Sequence, residues 1–68
     1  MPKLPSLKPK KLVKILKENG FVEIRQVGSH LHLYHPEKKL RTTVPIHNKD
    51  LKKGTLASIL RQSKIKLN

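Results

Sequence analysis

Gly28-Ser29-His30-Leu31-His32-Leu33-Tyr34-His35-Pro36-Glu37-Lys38-Lys39 is the stretch that decides the fold. Its centre alternates: Leu31, Leu33 and His35 share one side, and His30, His32 and Tyr34 share the other. Side chains on a strand point to opposite faces in turn, so this is a strand with one apolar face. Gly28-Ser29 and Pro36-Glu37-Lys38-Lys39 are turn signals that bound it on both sides. The flanking segments 21–27 and 40–46 also suit strands, and Pro45 places the end of the latter on an edge or at a termination point. The middle of the chain therefore reads as a three-stranded antiparallel meander.

Helical signals flank the meander. Pro9 suits a first helical turn, where its missing N–H costs nothing. Leu12, Ile15 and Leu16 follow at helical spacing, Val13 widens the stripe, and Lys10, Lys14 and Lys17 line the opposite face. Asn19-Gly20 ends this helix, because glycine tolerates the left-handed conformation of a C-terminal cap. A second helix is expected over 52–63, with Leu56, Ile59 and Leu60 buried and Lys53, Arg61 and Lys64 giving it a basic surface. Asp50 or Thr55 is the candidate cap at its start. The fold class is α+β, in the order α-β-β-β-α, with both helices on one sheet face. Residues 1–7 read as a flexible leader and 8–68 as one domain.

Composition narrows the function. Lys and Arg total 16 against 4 acidic residues among 68, a formal charge of +12. Such a chain repels itself unless a polyanion neutralises it, which favours nucleic acid or an acidic partner. There is no cysteine, which excludes a disulfide framework and a thiolate zinc site. No apolar run approaches the roughly 20 residues that span a bilayer, so no membrane role and a cytoplasmic location are expected. Glu18, Glu23, Glu37 and Asp50 are scattered and mostly beside lysines, whereas a two-metal nuclease needs converging carboxylates. No metal, phosphate-loop nucleotide or other small-molecule cofactor is expected.

Four histidines remain as carriers of chemistry: His30, His32, His35 and His47. Imidazole can both take and give a proton near neutral pH. RNA brings its own nucleophile, the 2′-hydroxyl, so a base and a few cations suffice to cut it. Spacing alone leaves other roles open. His30 and His32 are placed to share a metal from one face, His35 lies on the Leu face as a structural or turn residue, and His47 is a loop histidine that can bond a carbonyl. Tyr34 is either a packing residue or a surface on which a base stacks.

Three separated motifs resemble one family. Arg25-Gln26-Val27-Gly28-Ser29-His30, preceded by Asn19-Gly20-Phe21, is similar to the RQxGSH signature of the HicA (YcfA-like) toxins. Thr42-Thr43-Val44-Pro45-Ile46-His47, then Leu51-Lys52-Lys53-Gly54-Thr55-Leu56 and Ile59-Leu60-Arg61-Gln62, resemble that family's C-terminal half. The resemblance implies a double-stranded-RNA-binding-domain-like fold and an mRNA interferase activity. It also implies a HicB-like antitoxin as partner, covering the active histidine, which maps onto His30. Arg25, Ser29, Lys38, Lys39, Arg41 and His47 are the candidate RNA-binding residues, and Gly28 is assigned to the tight turn. Two positions depart from the family pattern. The 36–39 turn replaces a tighter Pro-Asp-Gly type, and His32 stands where an apolar residue is usual, either assisting His30 or simply facing solvent. The alternative reading is a non-catalytic RNA-binding module of the same fold; a third is a basic scaffold that folds against an acidic partner.

Overall fold

The computed structural model describes residues 6–67. The order is α1 (Pro9–Glu18), β1 (Val22–Val27), β2 (His30–His35), β3 (Leu40–Pro45) and α2 (Lys53–Ser63). The strands form one antiparallel sheet in the order β1-β2-β3. Leu31 and Leu33 of β2 and Val44 of β3 are buried with Leu12 and Leu16 of α1 and Leu56, Ile59 and Leu60 of α2. Both helices therefore lie against the face that the Leu alternation marks, as expected. The core is thin, and Phe21 is its one aromatic residue. Of the leader expected over 1–7, residues 1–5 lie outside the described residues. Leu7 is half-buried against the core, and its carbonyl accepts the Leu51 N–H at 2.8 Å.

Each helix stops by the same device. At the end of α1, Gly20 takes φ 96 and the Phe21 N–H returns to the Leu16 carbonyl at 3.0 Å. At the end of α2, Lys64 takes φ 56 and the Ile65 N–H returns to the Leu60 carbonyl at 3.0 Å. This 6→1 bond, with an apolar residue just beyond folding back on the core, is the Schellman arrangement. Glycine enters the left-handed region freely; lysine does so at a cost of roughly 1–2 kcal/mol. Lys64→Gly is therefore expected to raise the unfolding free energy by about 0.5–1 kcal/mol after the larger unfolded-state entropy of glycine is subtracted. Urea titration of the two proteins checks this, and an unchanged or lower midpoint refutes it.

The start of α2 differs from the expectation. Neither Asp50 nor Thr55 caps it: the N-cap is Lys52, in extended conformation with no side-chain cap bond, and no acidic residue stands in the first turn. Asp50 instead faces Lys8 across 3.9 Å. The extended backbone at Lys52 already has the geometry a capping hydroxyl uses. Lys52→Ser is expected to stabilise the fold by about 1 kcal/mol, read as a higher Tm in a thermal melt.

The two hairpins are built differently. Gly28-Ser29 is a two-residue loop in which only Gly28 has positive φ, at 59, the pattern of a II′ turn. The Gln26 side-chain amide donates to the Gly28 carbonyl at 3.0 Å and braces it. The turn 36–39 is held from inside. His35 is buried, its Nδ1 accepts the Lys38 N–H at 3.0 Å, and the Lys39 N–H donates to the His35 carbonyl at 2.7 Å. This histidine is a turn-building residue, as its place on the Leu face implies.

Candidate active site on the open sheet face

Strand register sorts the outward side chains into three cross-strand rows. Val27, His30 and Pro45 form the first; Arg25, His32 and Thr43 the second; Val22, Tyr34 and Arg41 the third. A β-bulge between Glu23 and Arg25 makes this possible. Without it, simple alternation would put Arg25 on the opposite face from Val22. With the extra residue Ile24 inserted, Val22 and Arg25 both pair with outward residues of β2. Glu23 goes to the helix side, where its carboxylate forms an ion pair with Lys17. No carboxylate is left in the three rows.

His30 is the first residue of β2 and is exposed. Its position is fixed by backbone on both sides: the Gly28-Ser29 turn precedes it, and the Ser29 carbonyl accepts the Ile46 N–H at 2.6 Å. That bond ties the turn to the end of β3. Its imidazole makes no hydrogen bond among the described residues, so both ring nitrogens are available to a ligand.

His32 is not a simple solvent-facing substitution. It is half-buried, and its Nδ1 lies 3.2 Å from the Thr43 hydroxyl on the neighbouring strand. Thr43 thus orients the second imidazole, a role that neither its residue type nor its motif announces. Strand pairing is the only signal that reveals it. Tyr34 is also half-buried, with the Arg41 guanidinium 5.7 Å from its ring centroid. An open groove is lined by His32, Tyr34, Arg41 and Thr43 of the outward rows together with the inward-facing Leu33 and Thr42 and with Ser58 and Gln62 of α2, so it is not confined to the open face.

The candidates from sequence fall into three places. Ser29, His30 and His47 stand at one end of the sheet, since His47 lies two residues past Pro45, the cross-strand partner of His30. Arg25 and Arg41 stand on the open face in the second and third rows. Lys38 and Lys39 sit in the turn beyond His35, about 17 Å or more along β2 from His30 at roughly 3.3 Å per residue. They are not gathered with the histidine. Lys49 and Lys52, not among those candidates, line a second groove with Pro45 and His47 at the His30 end, together with Asp50, whose carboxylate faces Lys8. Their signal in the sequence was a basic, uncapped approach to a helix where an acidic first turn is usual.

Among the described residues, no three His, Asp or Glu side chains converge as metal ligands. No helix among them is long and apolar enough to cross a membrane. Lys8 and Lys17 alone of the described basic residues meet a carboxylate. Fold and site together define a small basic α+β protein that carries an exposed imidazole on an uncovered, carboxylate-free sheet face.

Comparison with known families agrees. A family model described as the HicA toxin of bacterial toxin-antitoxin systems matches residues 9–65, nearly the whole described chain, and the protein belongs to that family. No curated protein matches the chain. Membership makes it a toxin component and implies a cognate antitoxin.

Proposed function

We propose that this toxin is a metal-independent endoribonuclease that cuts mRNA, with His30 as its catalytic residue and a HicB-like antitoxin that neutralises it by covering that histidine. One observation carries the reading: His30 is presented, solvent-exposed and backbone-fixed, on cross-strand rows that hold no carboxylate, Glu23 being paired with Lys17 instead. A polyanion meets no repulsion there, and its backbone finds Arg25 and Arg41 on the same face.

In the reaction, His30 accepts the proton of the 2′-hydroxyl. The 2′-oxygen then attacks the adjacent phosphorus, the bond to the 5′-oxygen breaks, and a 2′,3′-cyclic phosphate forms. The leaving 5′-oxygen takes a proton from a second acid, and His47, at the same end of the sheet, is the residue we assign to it. Lys49 and Lys52 steady phosphate charge beside it.

The test uses single-stranded RNA in chelator, beside the same strand with one 2′-deoxy sugar at the cut position. Cleavage of the first, none of the second, and a cyclic-phosphate end are the expected results. Cutting of the deoxy strand at the same position overturns the mechanism. Lys52→Ser has a second expected effect here. While stabilising the fold, it reduces the slope of log binding constant against log salt by about 0.7, the contribution of one phosphate contact to a single strand. An unchanged slope removes Lys52 from the interface.

A further inference from the structure

We propose that Tyr34 and Arg41 form a nucleobase-stacking subsite, which seats one base of a single-stranded RNA lying along β2 when its scissile phosphate is at His30. The proposal rests on the cleavage reading above and extends it from the cut to the strand that presents it.

Geometry supplies the first argument. His30, His32 and Tyr34 occupy successive outward positions of one strand, so their Cα atoms are spaced about 6.6 Å apart in a line. A strand of RNA running over His30 in that direction meets Tyr34 in the third row. There the surface changes character. The first row offers Val27 and Pro45 around the imidazole, whereas the third offers the only tyrosine of the chain with a guanidinium over its ring at 5.7 Å.

The chemistry of the pair supplies the second. Phe21, the other large aromatic, is buried in the core; Tyr34 is half-buried in the third outward row, on the other side of the sheet. Its hydroxyl makes no hydrogen bond among the described residues, so no polar anchor explains the residue. Aromatic rings and guanidinium planes are the two protein surfaces on which unstacked bases lie. Arg41 also carries charge for the adjoining phosphate, with Arg25 one row nearer His30. A duplex hides the faces of its bases inside the stack, so the subsite selects single strands.

A scan of abasic positions on either side of the scissile bond tests this, together with Tyr34 variants. Wild type is expected to lose about tenfold in kcat/KM at one abasic position near the cut. Tyr34→Ala is expected to show a tenfold higher KM on intact RNA and to be indifferent to that same abasic position. Tyr34→Phe, which keeps the ring, restores most of the loss. Arg41→Lys keeps the charge and loses the plane, so it weakens the abasic effect while leaving the salt dependence of binding in place. Should Tyr34→Ala fail to fold, the Arg41→Lys comparison carries the test alone.

Fluorescence anisotropy with an uncleavable 2′-deoxy-containing strand separates this proposal from the cleavage reading. Weaker binding by Tyr34→Ala supports the subsite even if wild type cuts nothing. Equal binding by the folded variant, or an abasic penalty that persists undiminished in it, overturns the subsite even if His30 proves catalytic.

Discussion

His30→Ala is expected to lower the rate of RNA cleavage by about 10³-fold, within the range a positioned general base contributes. The imidazole is exposed and unbonded among the described residues, so its loss creates no cavity and leaves no buried partner unsatisfied. Substitutions at such positions usually change stability by no more than about 0.5 kcal/mol. The variant should therefore melt like wild type, bind an uncleavable strand comparably, and fail to cut. Single-turnover cleavage with excess enzyme is the measurement, with thermal melting as its control. A folded variant that cuts within a few-fold of wild type sinks the assignment and leaves the non-catalytic RNA-binding module as the better account.

The second large effect is on the fold. Gly20→Ala is expected to destabilise the protein by about 3 kcal/mol, from two independent penalties. Backbone comes first: φ 96 lies in the region that side chains rarely adopt. Packing comes second, because a Cβ at Gly20 would sit 2.6 Å from Nε2 of His35. That ring cannot easily give way. It is buried, meets Phe21 edge-on at a centroid distance of 5.2 Å, and holds the 36–39 turn through its other nitrogen. For a domain of this size the loss corresponds to roughly 15 °C in Tm. His35→Ala opens the space, so the double variant should be less unstable than the two single losses added together. A Gly20→Ala cost below about 1 kcal/mol, or strict additivity, contradicts the close approach.

These two residues show how differently a site and a fold are written. The place of His30 at the head of β2 was legible because local signals surround it: Gly28 permits the turn, Ser29 follows, and an alternating strand begins. Gly20 was legible only as a helix terminator. Its contact with His35, fifteen positions later, depends on how α1 and β2 pack, which no local pattern encodes. His32 shows the same limit, since Thr43 orients it through strand pairing.

By itself, the sequence determined the element order, the two helical stripes, the inward face of β2 and the family, because each rests on local periodicity or on residues adjacent in the chain. The outward rows were decided by tertiary structure. The hairpin register places Arg25 opposite His32 on the face of His30, and the β1 bulge pairs Glu23 with Leu33 instead of Tyr34 and sends it toward Lys17. A one-residue change in register reverses which face every later side chain meets, and register is set by the partner strand. The uncapped helix start at Lys52, the grouping of His47 with His30, and the distance of Lys38 and Lys39 from both were likewise fixed only by the folded domain. The outward face of β2 could be read from one strand; the rows beside it required all three.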